Sequence, residues 1–177
     1  MFIPPSPRDR YQGKLNAPVV LVKYGNYQCL QCGEVYQLIQ TVQQYFDLVF
    51  SQENQVCVVF RHFIESSIYP QAQKAAQVAE AAAAQGKFWQ MHDLLFTHQK
   101  ALGNGYLVEY ADVLGLDISR LLQDISKRVH IDRINQDIES GYQSGVTAVP
   151  ALFINGVRYT ERWNIEQLKA AITTASH

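Results

Sequence analysis

An α/β fold interrupted by a block of helices is the class the sequence predicts, on three observations. A β-branched run is followed by an amphipathic helical pattern and then a second β-branched run. About 70 residues of nearly continuous helical signal come next, and an Asn-Gly dipeptide between two short apolar runs, with one more helical pattern, closes the chain.

The elements follow in order. The first ten residues, "MFIPPSPRDR", hold three prolines and read as an N-terminal lead. "APVVLVKY", Ala17 to Tyr24, is an unbroken apolar run bounded by Pro18 and Gly25, which suits a strand buried on both faces. From Cys32, the residues Val35, Leu38, Ile39, Val42, Tyr45 and Phe46 recur at helical spacing and predict an amphipathic helix. "QVCVVFRHF", Gln55 to Phe63, predicts a second strand, and the intervening helix makes a parallel βαβ crossover the natural connection.

Between Gln71 and Ser144 the pattern is helical almost throughout. "QAQKAAQVAEAAAAQG" joins strong helix formers and stops at Gly86; "KFWQMHDLLFTHQ" is amphipathic. Two shorter helices follow, with Gly115 as a stop and Asp117 as an N-cap, and a last one is expected from near Ser126 to Ser144. "PALFINGVRYT" predicts two short strands around Asn155-Gly156, a dipeptide suited to a type I′ turn. The final helix should start at Asn164, with Gln167 closing a capping box.

Composition narrows the function. At 47% hydrophobic and 18% charged, with a net charge of -1, the chain has no general electrostatic attraction for nucleic acid or an anionic membrane. No run approaches the ~18 apolar residues of a membrane span. The lead lacks the apolar core of a signal peptide, so a cytoplasmic location is expected; a periplasmic or other exported one stays open if a leader has been removed. With three cysteines and no export signal, a close cysteine pair is more often catalytic or metal-binding than structural.

Cys29 and Cys32 form a C-x-x-C at a helix start. There the first sulfur lies near unpaired backbone N–H groups and the positive end of the helix dipole, and the second lies one turn further in. This favours a thiolate on Cys29, the species that attacks disulfides. Cys29 is therefore read as the exposed nucleophile and Cys32 as the buried resolving thiol. A zinc half-site and inert core thiols are the alternatives. Zinc needs two further ligands, and the nearest candidates, Cys57 and His62, differ in parity along one strand and so face opposite ways. No metal is expected.

The order strand, C-x-x-C helix, strand, helices and then "GVTAVPALFING" resembles the thioredoxin-fold disulfide oxidoreductases of the DsbA type. The likeness covers nearly the whole chain, through "APVVLVKYGNYQCLQC", "RHF", "AEAAAAQGKFWQMHDLLF" and "GVTAVPALFINGVRY". It implies a thioredoxin-like domain at residues 14–70 and 145–177, an inserted helical domain at 71–144, and residues 1–13 as the lead. It implies exchange of disulfides with protein or peptide thiols and an unidentified redox partner that recycles the pair. No metal or organic cofactor is implied, with glutathione as an alternative co-substrate. Pro150 matches the family's cis-proline, which would expose the backbone of Val149 to an extended substrate.

Two departures bear on reactivity. Strongly oxidising relatives carry Pro-His between the cysteines, where this chain has Leu30 and Gln31, so Cys29 is expected to be less acidic, with a pKa of about 5 to 7. Lys23 stands where the family usually has a buried acid that handles the proton of the second thiol, and Asn26 where many relatives have Asp. An ammonium near the pair would favour thiolate, yet could accept a proton only if burial lowered its own pKa. Snorkelling to solvent is the competing reading for Lys23.

Of the remaining residues, Cys57 reads as a core thiol and Phe88, Trp89, Met91, Leu94, Leu95 and Phe96 as the core of the helical block. Among the five histidines only His62 is expected near the pair, and Glu34 is expected in solvent. The rival from another class is a redox-inactive binding or chaperone-like module on the same fold.

Overall fold

In a computed structural model, the structure describes residues 1–50, 55–65 and 67–177; five residues of the predicted 14–70 segment lie outside these. The elements run β1 (Arg10–Gln12), β2 (Val19–Gly25), α1 (Leu30–Phe50), β3 (Val56–His62), α2 (Ala72–Ala84), α3 (Phe88–Thr97), α4 (Asn104–Val113), α5 (Ile118–Ser126), α6 (Ile131–Gln143), β4 (Ala151–Ile154), β5 (Val157–Arg158) and α7 (Ile165–Ala175).

The sheet order is β1-β3-β2-β4-β5. β2 and β3 are parallel, joined through α1 as the crossover argument requires, and the other pairs are antiparallel. α1 and α7 cover one face, where Val35, Ile39 and Phe46 meet Leu21, Val58, Leu152 and Leu168. On the opposite face Val22, Tyr24, Cys57 and Phe153 pack with Phe2, Leu15 and Ile138 of α6. Helices α2 to α5 form a third core that reaches Tyr27, Cys29, Cys32 and Phe60. The helical block therefore abuts the end of the sheet where β2 gives way to α1.

The N-terminal lead is not merely a lead, because Arg10–Gln12 pair with Val58–Phe60 as an edge strand. Arg61 explains its anchorage. Its guanidinium, 3% exposed as a residue, makes a bidentate pair with Asp9 at 2.8 and 3.0 Å and donates to the carbonyls of Ile3 and Pro4. Paired, planar recognition of this kind is the geometry arginine serves best.

Glu80 ties four elements together. The carboxylate is fully buried and accepts from Arg10 of β1, Arg133 of α6 and His62 of β3. Burial acts to raise its pKa, but the hydrogen bond and charge of His62, with the two guanidiniums, hold it well below the usual carboxylate range. Gly141 lets α6 approach closely, since a Cβ there would lie 2.6 Å from Phe63 Cδ2.

Two helical expectations are corrected. The helix predicted from Ser126 to Ser144 begins at Ile131, because Arg128 adopts φ 54°, the left-handed position usually held by glycine, and ends α5. At α7 half of the predicted box forms: Asn164 Oδ1 accepts from Gln167 N at 2.9 Å, but Gln167 Oε1 accepts from Arg162 N. Asp117 caps α5, and Asn155-Gly156, at φ 48° and 82°, turns the β4–β5 hairpin.

Candidate active site

β2 ends at Gly25, and the next four residues bring the chain round to the first turn of α1. Asn26 organises this bend: Oδ1 accepts from Gln28 N and Cys29 N at 3.1 and 3.0 Å, while Nδ2 donates to Phe63 O. Asn26 thereby satisfies helix-end donors that would otherwise be orphaned.

Cys29 and Cys32 are joined as a disulfide with Cα atoms 5.2 Å apart. Cys32 N donates to Cys29 Sγ at 3.1 Å, so a backbone N–H is directed at that sulfur. Cys32 is fully buried. Cys29 is buried as well, at 3% exposure, unlike the exposed nucleophile expected; the apolar groups of the helical block close over it, and Leu30, at 60%, is the surface residue beside it. Gln31 and Glu34 are exposed.

The Val149–Pro150 peptide bond is cis. Ala151 pairs with Tyr24 of β2, and Val149 packs against the core that contains both cysteines. Among the described residues, neither the N–H nor the C=O of Val149 has a hydrogen-bond partner. A backbone edge is thus free beside the disulfide.

Lys23 does not snorkel. It is 3% exposed; Nζ donates to Cys32 O at 2.7 Å and stands 4.3 Å from the centroid of Phe96. Burial pushes its pKa well below the ordinary lysine value. A cavity of about 30 Å³ runs beside it, lined also by Gln12, Tyr36, Gln40, His92 and Asp93. That is enough room for a water molecule, which needs roughly 10–15 Å³.

His92 was not singled out by its sequence, yet it is the buried histidine facing Lys23 across this cavity. Its Nδ1 lies 2.8 Å from Tyr27 Oη, and burial, then the charges of Lys23 and His62, lower its pKa well below the usual value. Asp93 accepts from Tyr36 Oη at 2.6 Å, with its pKa raised by burial against that bond. His62, the histidine expected near the pair, is instead engaged by Glu80. Gln99 also reaches the cysteine turn from the helical block. Helical periodicity places His92 on an apolar face and says nothing of what that face meets.

Cys57 lies on the sheet face opposite the cysteine pair, buried, with its thiol pushed up by burial to about 11. Among the described residues, no group of three or more His, Cys, Asp or Glu side chains is placed to hold a metal ion. No helix there is long and apolar enough to cross a membrane.

Comparison with known proteins agrees with this architecture. A family model described as thioredoxin matches residues 5–174. The Na(+)/H(+) antiporters NhaA 3 of Salinispora tropica and NhaA 1 of Mycolicibacterium vanbaalenii are each 37% identical, over 99% and 93% of this chain. The chain spans about a quarter (26%) of the length of these relatives. Among solved structures, oxidised BdbD from Bacillus subtilis superposes with a TM-score of 0.85 at 19% identity, covering 99% of this chain and 96% of that one. Alpha-DsbA1 from Wolbachia pipientis gives 0.79 at 19% identity, covering 97% and 92%. The chain belongs to the thioredoxin family, and its fold is the DsbA-type form in which a helical block interrupts the core.

Proposed function

We propose that this protein is a thiol-disulfide oxidoreductase acting on protein substrates through Cys29 and Cys32. The observation that carries the reading is the disulfide across the first turn of α1, with the Cys32 N–H directed at Cys29 Sγ and a free backbone edge at Val149 beside it. In the oxidising direction a substrate thiolate attacks Cys29 Sγ, the Cys29–Cys32 bond breaks, and Cys32 leaves as a thiolate that takes up a proton. A second substrate thiolate then displaces Cys29, closing the substrate disulfide and leaving both protein cysteines reduced. In the reducing direction Cys29 attacks the substrate disulfide, and Cys32 resolves the mixed disulfide.

Lys23 supports this cycle from below. A neutral amine next to Cys32 accepts the thiol proton when Cys32 attacks and returns it when Cys32 leaves, and the adjoining cavity supplies a route to water. Leu30 and Gln31 leave thiolate stabilisation to the helix terminus. Val149 and Pro150 hold an extended substrate chain by backbone pairing.

The recycling partner is a second thiol-disulfide protein or glutathione, and no metal or organic cofactor takes part. Because the curated relatives are Na(+)/H(+) antiporters, a transporter polypeptide is included among the protein clients to be tested. A cytoplasmic location is the working reading, with a periplasmic or other exported one as the alternative, and the reduction potential of the pair distinguishes a reductant from an oxidant suited to each.

The test is the reduction potential of the pair, obtained by equilibration in glutathione buffers and mass counting of alkylated thiols. A value near about -270 mV identifies a reductant suited to that compartment, and one at or above roughly -200 mV a disulfide donor or isomerase suited to an oxidising one. Cys29→Ser should abolish exchange with a model protein disulfide. Absence of a reversible bond at any poise would leave the fold as a binding module.

A further inference from the structure

The bend from Tyr27 to Cys29 is held from two sides. The N–H groups of Gln28 and Cys29 go to Asn26 Oδ1, just before the bend. The bend's carbonyls go to a residue from the helical block: Gln99 Nε2 donates to Tyr27 O at 3.0 Å and to Cys29 O at 2.7 Å. Cys29 O also accepts from Gly33 N at 3.2 Å, the first bond of the helix.

Gln99 lies between α3 and α4, and its side chain crosses α1 at Gly33. A Cβ at position 33 would stand 2.7 Å from Gln99 Cδ, so a side chain at Gly33 and the carboxamide of Gln99 exclude one another. Glycine inside a helix costs about 1 kcal/mol against alanine. The crossing gives that cost a physical reason.

We infer that Gln99 is a positioning residue for Cys29, whose carboxamide fixes the backbone of the bend so that Cys29 Sγ stays on the Cys32 N–H. Its two N–H donors also offset the partial negative charge of two carbonyls beside the sulfur. Both effects favour the Cys29 thiolate. The helical block thus sets the acidity of the reactive thiol as well as covering it. The inference rests on the proposed function only in taking Cys29 as the nucleophile.

The experiment is the pH profile of iodoacetamide alkylation at Cys29 in the fully reduced protein, read by peptide mass. Gln99→Met keeps the length of the side chain and removes both donors. The expected result is an upward move of the midpoint by about half a pH unit or more, a roughly threefold loss of thiolate fraction below the midpoint. Gly33→Ala, which evicts Gln99 with its donors intact, should move the midpoint the same way. The double variant should then go no further, because both changes break one contact.

A residue that merely held the fold together would lower the melting temperature and leave the midpoint where it was. An unchanged midpoint in Gln99→Met, or additive shifts in the double variant, would overturn the inference. If Gly33→Ala does not fold, the Gln99→Met profile decides alone. Failure of the wild-type protein to exchange disulfides would sink the proposed function while leaving this comparison of midpoints fully readable.

Discussion

Replacing Lys23 by Met tests whether the base of the site holds a neutral amine. Nζ is buried against the Phe96 ring with a hydrogen bond to Cys32 O, and burial lowers its pKa. In the unfolded chain the amine titrates near the free lysine value of about 10.4. Below that pH the unfolded state binds a proton that the folded state does not. Wild-type stability therefore falls as pH falls, by up to about 1.4 kcal/mol per unit, until the depressed folded pKa is reached. The Met variant lacks this slope and lacks one hydrogen bond, worth about 1 kcal/mol. Dividing one by the other, the two stability curves should cross about 0.7 unit below the free lysine pKa, with the variant gaining about 1.4 kcal/mol for each further unit of acidification. The assay is urea unfolding of the oxidised proteins at half-unit steps from about pH 7 to about pH 10.5, which brackets the crossing. Parallel curves would mean that folded Lys23 keeps its charge, and the proton-transfer role assigned to it would fail.

Three further predictions concern the framework that holds the site. Glu80→Gln removes the charge shared by Arg10, Arg133 and His62, and equilibrium unfolding at pH 7 should show a loss of about 3–5 kcal/mol, the cost of breaking a buried ion pair. Because the folded pKa of Glu80 is depressed, its contribution is present above the unfolded value of about 4.3 and is lost as pH falls towards the folded one; acid titration of the variant should lack that step. Gly141→Ala drives a methyl into Phe63, and calorimetry should record a destabilisation of about 1–3 kcal/mol, or roughly 2–4 °C of melting temperature for each of them. Asn26→Ala strips the cap from Gln28 and Cys29, costing about 1–2 kcal/mol in denaturant midpoint terms; alkylation of reduced Cys29 at neutral pH should slow with it, and an unchanged rate would separate the cap from thiol reactivity.

What was legible in the sequence is what neighbouring residues decide among themselves. The β-branched run before the cysteines, the helical spacing after them, the Asn155-Gly156 turn and the caps at Asp117 and Asn164 are local choices of dihedral angle and hydrogen bonding, and each stands in the structure where its pattern puts it. The C-x-x-C spacing at a helix start singled out the cysteine pair, and the resemblance in order of segments carried the thioredoxin-like fold. β1 escaped because three residues are too few to show a period, and the break between α5 and α6 because Arg128, not a glycine, takes the left-handed position. Only the tertiary structure decided that Lys23 lies under Cys32 rather than in solvent, that Cys29 is covered, and that His92 and Gln99 arrive at the site from the helical block. Those outcomes depend on which faces meet when the block docks against the end of β2 and the first turns of α1. A side chain's own sequence neighbours hold no record of the surface it will meet, and here that surface buries Cys29 and Lys23.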